Sequence, residues 1–441
     1  MSDDRQPLPR EVVVLGWVSF FADISSEMVY ALLPLFVVGA LKGSTVALGW
    51  IEGVAAAVVA VLTALAGWRS DRIRRRVPYV RAGYGLPVIG KSVLAAATAW
   101  PLVLVGRTID RFGKGLRSSP RDALLAEHAG PTQRGRAFGL HRAMDSAGAV
   151  LGSLLAAALT WWFARDASRS PIDGLRLVLA IAAGLGLCSF ALTWLVHEPP
   201  AHADDVRKPD SPSAAATAAA PATSEASPPP GQLGGLGAGY AVTLALFGIF
   251  ALANSSDTFL LLRSRDRGLE PYQVILAYAL FQVVYTIASY PAGALSDRVG
   301  RWRMIGAGWA IYALVYAGFA VTGRAGLWPL WAAYGLYNAL TDGVGKALIA
   351  DLAPRRRRGT ALGVFYLING LAALVASLVA GELWAHVGAG SPFWFGAAGA
   401  VVALAGLPFV HRFDLRAAPA REAAAAATRA TADEAGATPR P

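Results

Sequence analysis

Apolar stretches of about 20 residues alternate along the chain with short breaks marked by arginine, glycine and proline, the pattern of a helix that must cross roughly 30 Å of hydrocarbon. About twelve such stretches lie end to end, at 11–39, 47–67, 78–98, 100–120, 135–163, 174–196, 237–262, 271–294, 302–322, 327–350, 359–385 and 392–411. Between His197 and Gly239 the pattern stops and the chain turns Ala/Ser/Thr/Pro-rich, with Pro228, Pro229 and Pro230 in a row, which is the composition of a flexible linker. The stretch from Leu415 to Pro441 is also Ala/Thr/Pro-rich and is expected to be a disordered tail. The expected organisation is a six-helix bundle over 1–197, a linker over 198–236, a second six-helix bundle over 237–414 and a tail over 415–441.

Composition agrees with lipid as the solvent. Of 441 residues, 55% are hydrophobic and 16% charged, and the mean hydropathy is +0.45, too apolar for a water-soluble chain of this size. The net charge of +11 does not point to nucleic acid, because the basic residues crowd the ends of spans. Arg69, Arg72, Arg74, Arg75 and Arg76 follow the second span; Arg117, Arg121, Arg134 and Arg136, then Arg298, Arg301 and Arg303, then Arg355 to Arg358 mark other breaks on the same side. The positive-inside rule makes that side cytoplasmic and, with an even number of spans, puts both termini there. Arg263, Arg265 and Arg267 run against this, offset in part by Asp266 and Glu270. Met1 to Arg10 is short and polar and reads as retained, the first span serving as insertion signal. Cys188, the only cysteine, reads as a small packing residue.

Four blocks recur in order in the two halves. Gly67 to Arg72 matches Gly293 to Arg298, and Ser25-Ser26-Glu27 matches Ser255-Ser256-Asp257. Asp110 to Lys114, followed by Ala123 to Glu127, matches Asp342 to Lys346, followed by Ala347 to Asp351; Arg134 to Gly139 matches Arg358 to Gly363. Parallel six-span repeats are one of the designs of secondary transporters, with the substrate held near the midplane where the repeats meet.

On these blocks the chain resembles the major facilitator superfamily over nearly its whole length apart from linker and tail. Gly293 to Arg301 fits that family's Gly-x-x-x-Asp-Arg-x-Gly-Arg signature in full, whereas the first copy has Arg74 in place of a glycine. Gly139, Gly148 and Gly152 have the spacing of the family's antiporter signature, but Ser153 stands where a proline closes it. The resemblance, which extends to a bacterial branch of the family, implies an all-α integral membrane fold of twelve transmembrane helices in two pseudo-symmetric bundles in the inner membrane of a bacterium, and that spans one, four, seven and ten line a central cavity.

Ionisable groups inside spans cost free energy and are functional candidates by default. The candidates for substrate or proton handling are Asp23 and Glu27, Arg107, Asp110 and Lys114, His141, Arg142 and Asp145, Asn254 and Asp257, and Asp342 and Lys346; Glu52, Arg111, Asn369 and Glu382 also lie within spans. Asp110/Lys114 and Asp342/Lys346 are spaced i,i+4, so each acid shares a helix face with its base, and Arg142 is placed to neutralise Asp145. Structural ion pairs within the bundle are the competing reading of the same residues. A cytoplasmic gate is expected from Gly67, Asp71 and Arg72 and from Gly293, Asp297, Arg298 and Arg301, with charge-assisted bonds between helix ends made in one state and released in another. Trp17, Trp50, Trp161, Trp162, Trp328 and Trp331 read as interfacial belts, and Tyr30, Tyr278, Tyr285, Tyr334 and Tyr337 as bundle packing, with cavity lining as the other reading.

The single Gly-x-x-x-x-Gly-Lys-Ser match, Gly85 to Ser92, lies within the predicted third span rather than in a loop between a strand and a helix, and the six histidines do not group at ligand spacing, so neither nucleotide nor metal nor other cofactor is expected. The expected activity is secondary transport of a small organic solute by a monomer in the bilayer, with protons as coupling ion and with efflux or uptake open. A non-coupled facilitator, or a membrane-embedded sensor or enzyme, is the alternative.

Overall fold

The structure, a computed structural model, describes residues 7–73, 75–166, 168, 170–198, 238–353 and 357–409. Of the expected linker only Glu198 is among these, and the expected tail lies outside them. The described chain is helical, with no strand: α1 (Arg10–Pro34), α2 (Thr45–Ile73), α3 (Val77–Ala96), α4 (Trp100–Ala164), α5 (Pro171–Leu192), α6 (Ala238–Ala253), α7 (Thr258–Asp266), α8 (Pro271–Val299), α9 (Arg301–Val321), α10 (Leu327–Leu352), α11 (Arg358–His386) and α12 (Ser391–Phe409). Helix starts follow local chemistry. Proline, which has no N–H to lose, occupies the first turn of α3, α4, α5 and α8. Ser170 caps α5 by accepting from Asp173 N, and Glu270 and Gln273 form a reciprocal capping box on α8. Gly300, at φ +100°, supplies the backbone turn between α8 and α9 that a side chain would strain.

Two elements differ from one span per helix. The fourth and fifth spans form a single helical element, α4, yet its two arms run in opposite directions along α1. Ser19 meets Arg121, and Tyr30, farther along α1, meets Arg107; by contrast Gly16, Phe20 and Ile24 meet Met144, Gly148 and Gly152 in increasing order. The chain therefore reverses between Arg121 and His141, and Arg134 Nε reaching back to Ala126 O, eight residues earlier, belongs to that bend. The seventh span, expected as unbroken over 237–262, is instead α6 and α7 separated by Asn254-Ser255-Ser256-Asp257. In a bilayer an interruption of this kind is tolerated where it is buried in protein or lines a cavity.

Among the described residues nine helical stretches are long and apolar enough to cross a membrane. The remaining three, α3, the first arm of α4 and α10, carry Lys91, the run Arg107/Asp110/Arg111/Lys114, and Asp342/Lys346. Their partners, described below, are what make such helices tolerable in lipid. Glycines set how closely helices approach. A Cβ on Gly90 would stand 2.5 Å from Gly106 O, and one on Gly83 would overlap the Arg117 side chain, so α3 and α4 pack almost backbone to backbone.

The halves meet along α2 and α11 in the same way. Thr45 Oγ1 donates to Gly381 O at 3.1 Å, a Cβ on Gly49 would stand 2.5 Å from Ser377 O, and Gly370 lies against Ala60. Past Ala60 the two helices part: Leu65 and Trp68 are about half exposed, and open space lies over Gly363 and Gly359. Contact is thus made at the end away from the arginine-rich breaks, and the space between the halves opens at the basic end.

Candidate functional site

The most buried charges lie in the first half. Arg107, 1% exposed, places Nε and Nη2 each 3.0 Å from Glu52 Oε1, and its guanidinium stands over the Tyr30 ring at 5.3 Å. Asp110 is ringed by three cations: Arg111 Nε at 3.3 Å, Arg107 Nη1 at 3.5 Å and Lys91 Nζ at 3.8 Å. Lys91, also 1% exposed, donates to Ser25 Oγ at 2.6 Å and to Ser26 Oγ at 3.1 Å. The expected Asp110–Lys114 pair is not formed, because Lys91 from α3 and the neighbouring arginines take the carboxylate first. Sequence reasoning passed over Lys91 altogether, although a lysine in the middle of the third span was the signal available.

At the centre the halves are joined through hydroxyls and amides. Glu27 Oε2 accepts from Tyr278 OH at 2.8 Å and from Gln282 Nε2 at 3.1 Å, both on α8. Ser256, in the break between α6 and α7, donates to Glu52 Oε2 at 3.0 Å, which leaves Tyr30 OH, 3.2 Å away, to donate to Ser256. Asp257 accepts from Tyr334 OH at 2.6 Å; the nearby charged groups that act on it are two acids, Glu27 and Glu52. Asn254 Nδ2 lies at the 3.5 Å limit from Tyr337 OH, and its Oδ1 is buried without a partner. The tyrosines expected as packing thus include the direct donors to three acids.

A third group spans the halves nearer the basic end. Arg142 Nη2 donates to Tyr285 OH at 2.7 Å, Tyr285 donates to Asp342 Oδ2 at 2.8 Å, and Lys346 Nζ lies 2.6 Å from Asp342 Oδ1. The expected Arg142–Asp145 pair is replaced by this chain on one side and by His141 on the other: His141 Nδ1 is 3.4 Å from Asp145 Oδ2. His141 Nε2 and Asp145 Oδ1 are buried without partners. Asp23 faces the second arm of α4, where a Cβ on Gly148 would lie 3.3 Å from its own, and the charged groups around it are Asp145, Lys114, Arg117 and Glu27.

The gate residues divide. In the second half Arg301 Nη2 lies 3.0 Å from Asp351 and 3.9 Å from Asp297, tying the start of α9 to the ends of α10 and α8. Arg301, rather than the adjacent Arg298, is therefore the partner of Asp297. The first half repeats the device with Arg76, at the start of α3, paired to Glu127, the repeat counterpart of Asp351. Gly67 lets α2 approach Ser119, Arg72 is exposed with Trp68 5.7 Å away, and space lies open over Gly293. The Asp71 side chain is outside the described residues.

Three further expectations need correcting. Trp331 is fully buried and donates Nε1 to Ser264 Oγ at 3.0 Å, so it is a bundle residue rather than part of a belt. Cys188 is exposed. Arg263 is buried and donates to Phe319 O and Ala320 O, capping the end of α9 while pairing with Asp266, so it does not act as a free topology signal. At the end away from the basic breaks lies a cavity of ≈ 770 Å³ with a mostly apolar wall of Leu35, Val38, Phe163, Ile172, Leu262 and Trp384, to which Lys42, Arg265, Asp266 and Glu270 also contribute.

Two helical halves, discontinuous backbone at their junction and acids linked across it define the class of polytopic membrane transporters. The model of the Major Facilitator Superfamily matches residues 15–263 and again 236–438, and the chain belongs to that family. An uncharacterised MFS-type transporter of Methanocaldococcus jannaschii is 31% identical over 389 residues, 87% of this chain and 90% of the relative. Among solved structures, the nucleoside transporter NupG superposes with a TM-score of 0.70 at 14% identity, over 91% of this chain and 99% of that one. A D-xylose-proton symporter does so at 0.65 and 21% identity, over 90% and 95%. At those identities the two structures speak for the fold alone.

Proposed function

We propose that this transporter moves a small organic solute by alternating access and couples the movement to protons. The observation that carries the reading is Asp257. It sits in a helix break at the junction of the halves, has one neutral hydrogen-bond donor, and has no cation within ion-pair distance among the described residues. Glu27 is the second such acid, held by Tyr278 and Gln282 of the opposite half. A carboxyl group placed this way can carry a proton as the neutral acid, and its hydrogen bonds are remade when the halves rock. In the buried cluster of Glu52, Arg107, Asp110, Lys91 and Arg111, by contrast, both acids are held by direct ion pairs, and it serves as the fixed frame of the first half.

The arginine-rich breaks support placing the open end on the cytoplasmic side of a bacterial inner membrane, both termini with it. The proton coupling named for the D-xylose-proton symporter is consistent with the reading. Proteoliposomes with a pH-sensitive dye inside test it: solutes are screened against an imposed proton gradient for the wild type and for Asp257→Asn, Glu27→Gln, Asp23→Asn and Asp342→Asn. The wild type should acidify or alkalinise the lumen with one solute, and Asp257→Asn should bind that solute without moving protons. Solute that equilibrates with no proton movement would recast the protein as a facilitator.

A further inference from the structure

The repeat sets an acid and a lysine four residues apart on α4 and on α10, and only one half makes the pair. On α10, Lys346 Nζ lies 2.6 Å from Asp342. On α4 the Asp110 oxygens are already taken by Arg111, Arg107 and Lys91, so Lys114, one turn on, has no hydrogen bond from its ammonium and no ion pair among the described residues. Its side chain is nonetheless exposed, although charged groups of two helices surround it.

Its direction follows from the helix. Arg107 and Arg121 stand seven residues before and after Lys114 and so share its face. Arg107 lies over Tyr30 and Arg121 Nη1 reaches Ser19 Oγ at 3.5 Å, both on α1. Lys114 between them therefore looks onto the stretch of α1 that carries Asp23 and Glu27, the acids within its electrostatic range, and into the space between the halves rather than into lipid. An ammonium that faces this space with no direct partner is free to take the charge-assisted hydrogen bond of an anionic ligand.

We propose that Lys114 receives the anionic group of the transported solute, which makes the substrate an organic anion bearing a carboxylate or phosphate; this rests on the transport reading above. Asp23 is the internal carboxylate that competes for the same ammonium. The full-length protein in detergent provides the test, because the chain has only five lysines, Lys42, Lys91, Lys114, Lys208 and Lys346. Amines condense with aldehydes with loss of water, and borohydride fixes the imine for mass spectrometry. Two matched probe pairs differ by one anionic group: pyridoxal 5′-phosphate against pyridoxal, and 4-carboxybenzaldehyde against benzaldehyde.

For at least one pair the anionic member should modify Lys114 about ten-fold faster than the neutral one, the size of one favourable charge contact in a partly dry cavity, with a far smaller ratio at the exposed Lys42. Asp23→Asn should raise the Lys114 ratio. Equal ratios at Lys114 and Lys42 with both pairs, or an unreactive Lys114 beside a reactive Lys346, overturn the proposal. Labelling needs no solute movement, so a protein found to couple protons to a neutral solute would lose this inference and keep the transport reading.

Discussion

Glu52 and Ser256, 204 residues apart, are joined by a 3.0 Å hydrogen bond that ties the buried charge cluster of the first half to the helix break of the second. The other oxygen of Glu52 holds Arg107, so one carboxylate serves both the interior of a half and the junction between halves. Glu52→Gln leaves Arg107 buried with only Asp110 to balance it, and should cost about 3–5 kcal/mol of stability, the usual penalty for breaking a buried pair from one side. Ser256→Ala removes only the hydroxyl and should cost about 1–3 kcal/mol. Thermal unfolding of the purified variants ranks the two, and a Ser256→Ala that falls as far as Glu52→Gln would contradict the assignment of roles.

Within the same cluster the sign of the change matters. Asp110→Asn strands Lys91 and Arg111 beside a neutral amide and leaves Arg107 to Glu52 alone, whereas Lys91→Gln leaves Asp110 with two arginines and keeps a donor for Ser25 and Ser26. Asp110→Asn should therefore be the more destabilising by about 2 kcal/mol or more, since unpaired buried charge is the dominant cost. Expression level and melting temperature measured side by side check the order.

That asymmetry also marks how far the sequence carried. Most helix extents and the repeat were legible because span length, basic breaks and the blocks around Asp71 and Asp297 are local in the chain. Partner choice was not. The spacing of Asp110 and Lys114 is identical to that of Asp342 and Lys346, and what separates them is Lys91 on α3, a residue whose distance to Asp110 no linear pattern states. Tyr278, Tyr285 and Tyr334 read as packing for the same reason, since an aromatic inside a span is ordinary until an acid is found 2.6–2.8 Å from its hydroxyl. The break at Asn254 to Asp257 was hidden because its small polar residues interrupt an apolar span too briefly to change its hydropathy.

The paired arginines at the basic end call for a different magnitude. Arg301 is about a quarter exposed and Asp351 about half, so solvent screens their 3.0 Å contact. A double-mutant cycle on Arg301→Ala and Asp351→Asn should return a coupling below about 1 kcal/mol in thermal unfolding. The pair is expected to act on the balance between open and closed states, where a fraction of a kcal/mol is enough to shift populations, so the same variants should alter transport rate while leaving melting almost unchanged.

Separation of α2 from α11 beyond Ala60 gives the most direct check on the state described. On a Cys188→Ser background, Gly363→Cys places a thiol where nothing lies within 4 Å, whereas Gly53→Cys places one against Leu374 in the closed contact. A charged maleimide should label the first rapidly in detergent and the second slowly. Adding Gly49→Leu should then reverse the preference. Its Cβ would stand 2.5 Å from Ser377 O, a backbone atom that cannot swing away, so the wedge forces the closed end apart. In an alternating-access protein the two ends are linked through one rocking motion, and prising open the end near Gly49 must close the end near Gly363. Slower labelling of Gly363→Cys together with faster labelling of Gly53→Cys is the expected result, and both sites labelling fast would mean that the halves separate without rocking.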